Sequence, residues 1–371
     1  MRKIVVISLQ NVRNYGSALQ AFATQKKFEE YGLTVEFINY KRRDMKNLYS
    51  RLKNWVKNDS VSGKIVKCVV LFPTFAYQEV VFKRFLRKYI TMQDKVCVRD
   101  EDFKELPIDA DIYCTGSDQV WNSTWNLGVL EPLFLNFVPD HLPKIAYSAS
   151  FGKHMLDDSE KEATKKLLQR YKHISVRESS GVNIINDLGI NNATHVLDPT
   201  LQMSRTFWEK YAGKSRSNEP YVLIYQLNSN KEFDKYAKEF ARRKGMKLIR
   251  FCTRLDQVFL CGFPAIIPDV FGFVSYIFHA EYVITDSFHA TAFSINVNTD
   301  FISIYPEEFS TRIESILRLT NLQDRHLKSY EDFSYVDLPP TDFSHVNIYL
   351  EKERERGDEF LNKALSINNI N

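Results

Sequence analysis

The first forty residues alternate between strand and helix patterns, and this alternation restricts the fold more than any other feature of the chain. Residues 3–9 are rich in β-branched and apolar side chains, and residues 11–16 are polar and end in glycine. Residues 17–31 carry apolar side chains at nearly helical spacing, and residues 34–38 are again β-rich. The order strand, helix, strand predicts a βαβ unit, and therefore a parallel sheet with a right-handed crossover.

The same alternation recurs along the 371 residues and indicates two domains. We expect an N-terminal Rossmann-like domain over 1–202 and a second over 203–340. A charged helix within 341–371 is expected to pack back on the first domain. The β-rich runs that define the strands after the first two are 111–115, 144–148, 173–176, 194–197, 221–226, 247–252, 282–285 and 301–304. The predicted fold class is α/β.

Residues 41–105 depart from this alternation and are predicted to form two or three helices inserted in the first domain. Within this segment, residues 41–90 hold thirteen Lys/Arg and three Asp/Glu, although the whole chain has a net charge of only +4. A basic patch of this kind attracts phosphates, nucleic acids or acidic lipid headgroups. A solvated helix face is the alternative.

The sequence disfavours a secreted or membrane-spanning protein and a zinc-binding protein. The apolar run near the N-terminus has the length of a strand and is too short for a signal peptide, and no later apolar run is long enough to cross a bilayer. The five cysteines include no CxxC pair, which favours a reduced cytoplasm and argues against a zinc site.

Polar clusters follow the predicted strands in both halves of the chain. In open α/β sheets, ligands bind beyond the carboxyl ends of the strands. We therefore expect these clusters to face a central cleft shared by the two domains. The alternative is that loops between strands and helices are simply polar. The clusters occupy residues 14–17, 116–119, 148–152, 177–179, 198–200 and 286–289.

Each of four residues in these clusters has two alternative roles. Ser17 opens a helix, where it can cap the helix or contact a phosphate. Arg177 follows a strand directly and can hold a carboxylate or phosphate, or pair with Glu178 or another acid. His289, in the first turn of a helix, can exchange protons near neutrality or only cap the helix. Asp118, ahead of Trp121, suits a sugar site in which the ring covers the sugar's apolar face, or a plain Asx-turn.

The ordered set of motifs resembles the polysaccharide pyruvyl transferase family from about residue 11 to about residue 305. The resemblance implies a glycosyltransferase-B-like pair of Rossmann-type domains, with phosphoenolpyruvate as donor and a pair of sugar hydroxyls as acceptor. The product would be a pyruvate ketal on a capsular, exopolysaccharide or cell-wall glycan. The motifs that carry the resemblance are Asn14–Ala21, Gly116–Asn122, Tyr147–Gly152, Ser175–Glu178, Val196–Thr200 and Thr285–His289.

The resemblance also implies roles for individual residues. Arg177 would hold the donor's carboxylate or phosphate, and His289 would be the acid or phosphate contact. Many members carry an arginine two residues before that histidine, where this chain has Ser287. Arg312 is our candidate for the missing charge, and Arg325 is the second candidate.

The remaining roles complete a ketal-forming site that needs no metal or cofactor. Asp118 is the candidate base, and Arg177 with Arg312 forms a clamp for the donor. A glycosyltransferase that uses a nucleotide sugar is the alternative function on the same architecture, and a non-catalytic binding protein is the third. The further residues expected to bind substrate are Asn14, Gly16, Ser17, Ser117, Gln119, Ser150, Asp286 and Ser287.

The expected location is the cytoplasm, with contact at the inner face of the membrane as a further expectation. A lipid-linked oligosaccharide acceptor would bring the enzyme to that surface, where residues 41–90 could dock on anionic lipid. Nucleic acid is not an expected partner, because no nucleic-acid-binding module is recognisable in the sequence.

Overall fold

The computed structural model describes residues 1–45, 47–55, 61–305 and 311–366. These residues form an α/β protein with two compact units. The first unit comprises Met1–Arg43, Leu86–Met203 and Leu350–Asn371, and the second comprises Asp44–Phe85 and Ser204–Tyr349. Within the described ranges, no helix is both long and apolar enough to cross a membrane.

The strands agree with the predicted β-rich runs to within a few residues, and the structure adds β3 and β10, which the sequence did not predict. The strands are β1 Lys3–Ile7, β2 Thr34–Tyr40, β3 Met92–Cys97, β4 Ile112–Thr115, β5 Lys144–Ala149, β6 His173–Val176, β7 Ala193–His195, β8 Tyr221–Tyr225, β9 Lys247–Cys252, β10 Phe263–Ile266, β11 Tyr282–Thr285 and β12 Asp300–Ser303.

Helices follow most of these strands. They are α1 Tyr15–Glu30, α2 Leu48–Trp55, α3 Val61–Tyr89, α4 Asp100–Lys104, α5 Ser123–Asn126, α6 Asp158–Leu168, α7 Ser179–Asp187, α8 Pro199–Gln202, α9 Arg205–Ala212, α10 Lys231–Lys244, α11 Val270–Phe278, α12 Phe288–Val297, α13 Thr311–Leu319 and α14 Ser344–Leu365.

In the first unit, the described strands form a seven-stranded sheet in the order β3-β2-β1-β4-β5-β6-β7. Every pairing is parallel. The strands β1, β4 and β5 are almost wholly buried because helices cover both faces of a parallel sheet. The strand order reverses between β1 and β4, which makes the loops after these two strands the expected ligand-binding edge.

The second unit repeats this arrangement. Its described strands form a five-stranded parallel sheet in the order β10-β9-β8-β11-β12. The order reverses between β8 and β11, so the loops after these strands form the corresponding edge. Both sheets have a Rossmann-type strand order, in agreement with the two Rossmann-like domains that the sequence predicted.

The helical segment groups differently from its predicted place in the first domain. Residues Asp44–Phe85 belong to the second unit. Polar contacts between α3 and the loop after β9 explain this grouping, because the Gln78 side chain donates to the carbonyl of Thr253 (2.6 Å) and the backbone N–H of Leu255 donates to the Thr74 hydroxyl (3.1 Å). The Phe85 ring also packs edge-on against Phe271 in α11. Residues 56–60, which fall in the predicted basic segment, lie outside the described residues.

The second half of α14 belongs to the first unit, where the sequence placed the C-terminal helix. Lys27 of α1 pairs with Asp358 at 2.5 Å, and Arg354 donates to the carbonyl of Leu201 at 3.0 Å. These polar contacts attach α14 to α1 and α8.

Candidate active site

The loops that follow β1 and β4 are joined by a buried hydrogen bond. Asn14 caps α1 by accepting the backbone N–H of Ser17 (3.2 Å), which sets the start of the helix. The Ser17 hydroxyl then donates to Oδ2 of Asp118 at 2.5 Å. The structure therefore brings together Asn14, Gly16, Ser17 and Asp118 at the edge where the strand order reverses. Ser17 is the third residue of α1 and a partner of Asp118, so the prediction that it caps the helix is wrong, because Asn14 takes that place.

Asp118 is held in an uncommon conformation. Its φ of 86° lies in the left-handed region, which is strained for a residue other than glycine. Its Oδ1 accepts the backbone N–H of Gln119 (2.8 Å) and faces the Arg177 guanidinium at 3.4 Å. The side chain is nearly buried. This network fixes the direction of the carboxylate, as a positioned acid or base requires.

Trp121 does not cover a sugar, and that prediction is wrong. The ring is 2% exposed, stacks on Phe134 at 5.3 Å and packs against Phe151 and Tyr171. The residue is part of the hydrophobic core of the first unit. Burial of so large an aromatic ring stabilises the loop that contains Asp118.

Arg177 lies in a buried ion-pair network. Its Nη1 donates to Oδ2 of Asp198 at 2.7 Å, and the hydroxyl of Ser117 donates to the same oxygen at 3.1 Å. Burial lowers the pKa of Arg177, but the carboxylates of Asp198, Asp118 and Glu178 outweigh burial and raise it above its ordinary value. The sequence left open a ligand contact or an ion pair for this residue, and the structure places its side chain, which has no exposed surface, in the ion pair.

Glu178 joins the loops that follow β5 and β6, a role that the sequence did not predict. Its Oε1 accepts the hydroxyl of Ser150 (2.8 Å) and the backbone N–H groups of Phe151 (2.9 Å) and Gly152 (3.0 Å). The Ser150 hydroxyl is therefore hydrogen-bonded within the protein. The Gln119 side chain is also used internally, because its Oε1 accepts from Asn122 at 2.6 Å. The available signal was an acid two residues after a predicted strand.

In the second unit, Asp286 joins the loops that follow β8 and β11. Its Oδ1 accepts the backbone N–H of Leu227 (2.7 Å), and its Oδ2 accepts the backbone and side-chain N–H groups of Asn228 (2.8 and 3.0 Å). Burial raises the pKa of Asp286, and these three hydrogen bonds act in the opposite direction. Asn228 was not anticipated from the sequence, although it lies two residues after a predicted strand.

Ser287, His289 and Arg312 lie around the N-terminus of α12. Ser287 caps this helix by accepting the backbone N–H of Ala290 (3.4 Å), and His289 is nearly buried in the first turn. The Arg312 guanidinium carbon lies 5.2 Å from the centre of the Phe288 ring. A helix N-terminus beside a guanidinium favours an anion.

Arg325, the second candidate for the missing charge, is placed differently. Its Nε lies 3.4 Å from Asp324, and its Nη1 lies 4.0 Å from Asp300, the first residue of β12. Its charge is thus directed to the amino end of the strand. Of the two candidates, Arg312 is the one that the structure places beside Phe288.

Tyr305 and His326 add an aromatic pair near the end of β12 that the sequence did not predict. Their rings stack with centres 3.5 Å apart and an angle of 9° between planes. Burial, with a smaller contribution from Lys328, lowers the pKa of His326. In sequence they are separated by twenty residues and lack a shared motif, so only the fold brings them together.

Solved structures resemble this chain in fold across nearly its whole length. The S. aureus MnaA–UDP co-structure is 11% identical, with a TM-score of 0.50, and the match covers 97% of this chain and 91% of that one. LpCGTa in complex with UDP is 8% identical, with a TM-score of 0.50 and 99% coverage of each chain. These values establish a shared fold, which is the glycosyltransferase-B-like α/β class that the sequence predicted.

Comparison with protein families is more specific. No curated protein matches the sequence significantly. The family model described as "Polysaccharide pyruvyl transferase" matches residues 14–308, which include every strand-end cluster described above. The chain belongs to the polysaccharide pyruvyl transferase family of transferases.

Proposed function

We propose that this protein transfers pyruvate from phosphoenolpyruvate to two hydroxyls of one sugar and forms a cyclic pyruvate ketal. The acceptor would be a capsular, exopolysaccharide or cell-wall glycan, or a lipid-linked precursor of one. The family match over residues 14–308 is the observation that carries this proposal. The chemistry requires an acid, a base and positive charge for a donor that carries a carboxylate and a phosphate.

The second unit supplies the donor-binding groups in this proposal. Arg312 would balance the negative charge of the donor's phosphate or carboxylate. Its guanidinium carbon lies 5.2 Å from the centre of the Phe288 ring, and Phe288 stands in sequence between Ser287, which caps α12, and His289. His289 would act as the acid or as a phosphate contact. The guanidinium presents paired N–H donors that suit either anionic group of the donor.

The first unit supplies the candidate base. Asp118 would accept the proton of an attacking sugar hydroxyl, and Ser17 and Arg177 would hold its carboxylate in place. We assign Arg177 a positioning role instead of the donor contact that the resemblance implied, because its side chain is fully buried against Asp198. The further predicted contacts, Ser117, Gln119 and Ser150, would likewise support the loops around the base.

The proposed reaction balances without a cofactor. The methylene carbon of phosphoenolpyruvate takes a proton and becomes the methyl group of the ketal. One sugar hydroxyl adds to the neighbouring carbon, phosphate leaves with the electrons of its C–O bond, and the second hydroxyl closes the ring. One hydroxyl proton ends on the methyl group and the other on phosphate. Oxidation states need no external electron donor or acceptor.

Two measurements test the proposal. Thermal shift should show a rise in melting temperature with millimolar phosphoenolpyruvate and none with UDP-sugars, because a ligand stabilises the state that binds it. Stabilisation by a UDP-sugar alone would favour the alternative, a nucleotide-sugar glycosyltransferase. Release of phosphate from phosphoenolpyruvate in the presence of glycan acceptors should fall at least a hundredfold in His289→Ala, consistent with typical acid–base contributions. An unchanged rate would remove His289 from the mechanism.

A further inference from the structure

Helix α3 has one buried face and one exposed face, and the two differ sharply in composition. Its buried side includes Leu71, Thr74, Phe75, Gln78 and Phe82, of which Thr74 and Gln78 are hydrogen-bonded to the loop after β9. The exposed positions recur every three or four residues and so lie along one stripe. They are Val69, Phe72, Pro73, Tyr77, Val80, Lys83 and Arg84.

The first part of this stripe is apolar. Phe72 is 52% exposed and Val80 is 54% exposed, and Val69 and Tyr77 are exposed to a similar degree. Phe259, which is 89% exposed, belongs to the short 3-10 helix Leu255–Phe259, whose first residue is bonded to Thr74 of α3. Isolated exposed apolar residues are common, but a row of them on one helix face indicates an interaction surface.

The second part of the stripe is basic. Lys83 and Arg84 are exposed, and the last turn of the helix adds Arg87 and Lys88. From Val69 to Lys88 the sequence contains one acid, Glu79, which is partly buried and lies at the edge of the exposed stripe, one helical turn before Lys83. An exposed apolar row that continues into a basic row, with a single, partly buried acid at its edge, complements an anionic lipid surface. Apolar side chains enter the headgroup region, and Lys and Arg remain with the phosphates.

We propose that the exposed face of α3, with Phe259, binds the surface of an anionic membrane. This inference does not depend on the reaction that the protein catalyses. An ordinary solvated helix face carries mixed charges and few large apolar residues, whereas the exposed side chains of this face are apolar at Val69, Phe72, Tyr77 and Val80 and then basic. Membrane attachment through α3 would hold the second unit at the surface where lipid-linked substrates lie.

Vesicle co-sedimentation of the full chain tests the proposal. We expect binding to vesicles of phosphatidylcholine with phosphatidylglycerol, weaker binding to phosphatidylcholine alone, and a decline as salt rises. Lys83→Glu with Arg84→Glu should weaken binding to the anionic vesicles roughly tenfold or more. Phe72→Ser with Val80→Ser should weaken binding at all salt concentrations, because it removes the apolar contribution.

A matched control separates this surface from net charge. Lys235→Glu with Lys238→Glu changes the same total charge on exposed positions of α10 in the same unit, and we expect vesicle binding close to that of the wild type. Equal loss in the α3 and α10 variants would overturn the proposal, as would the absence of vesicle binding. Self-association that the α3 variants abolish, without vesicle binding, would instead identify a second copy of the chain as the occupant and also overturn it.

Discussion

Ser17 donates a 2.5 Å hydrogen bond to Asp118, which is 101 residues away in sequence. This bond ties the loop after β1 to the loop after β4. The second unit achieves the same end with Asp286, which follows β11 and accepts N–H groups from Leu227 and Asn228 after β8. Each unit thus uses a carboxylate to join the two loops at the point where its strand order reverses.

Replacing Ser17 should test the importance of this bond in the first unit. We expect Ser17→Ala to lower the free energy of unfolding by about 1–3 kcal/mol, the range for a lost hydrogen bond to a buried charged group. Catalytic turnover should also fall, because Asp118 loses a partner that fixes its orientation. Chemical denaturation and steady-state kinetics measure the two effects. Ser159→Ala, at an exposed position in α6, is the control and should behave as the wild type.

The ion pair between Arg177 and Asp198 should matter more for stability than for substrate affinity. Both side chains are fully buried. Removal of Asp198 therefore takes a carboxylate partner from a guanidinium that is not exposed to water. Asp198→Ala should therefore lower the free energy of unfolding by about 3–5 kcal/mol. Chemical denaturation provides the measurement. Asp140→Ala removes the exposed partner of Arg170 and should leave the melting temperature nearly unchanged. Similar behaviour of the two variants would contradict the assignment.

Sequence patterns predicted the sheets well because their central strands are short and mostly apolar runs. The segments Lys3–Ile7 and Tyr282–Thr285 are examples. The patterns missed β3 and β10 because both edge strands expose many of their side chains, and because β3 has no apolar run and β10 has a proline at its second position. Contacts between residues that are distant in sequence also leave no local sequence pattern. Neither the bond from Ser17 to Asp118 nor the burial of Trp121 can be deduced from neighbouring residues.

Arg312 provides a direct test of the proposed donor site. If its guanidinium replaces the charge missing at Ser287, Arg312→Ala should raise the KM for phosphoenolpyruvate at least tenfold, the effect expected from loss of about 1.4 kcal/mol or more of binding. Arg312→Lys should recover part of this loss because it keeps the charge without the paired donors. Initial rates at varied phosphoenolpyruvate provide the measurement.

The control for this test lies on the same helix. Arg318 is an exposed arginine of α13, and Arg318→Ala should leave the KM unchanged. An equal increase for both variants would indicate a general electrostatic effect, and no increase for Arg312→Ala would exclude this residue from donor binding.

Asp286 should make stability depend on pH in a direction opposite to that of an ordinary ion-paired carboxylate. Burial raises its pKa in the folded protein above the ordinary value of 3.8. Between that value and the raised pKa, the folded protein holds a proton that the unfolded chain has already lost. The free energy of unfolding then falls as pH rises through this interval, because the folded state binds more protons.

The variant Asp286→Asn isolates this effect, since it cannot ionise. The difference in unfolding free energy, wild type minus variant, should decline as pH rises from 4 through the raised pKa and then become constant. Urea denaturation at several pH values gives this difference, and NMR of the side-chain carboxyl carbon gives the pKa itself. A difference that grows with pH would mean that the hydrogen bonds from Leu227 and Asn228 outweigh burial. The carboxylate would then hold the loop after β8 most firmly in its charged form.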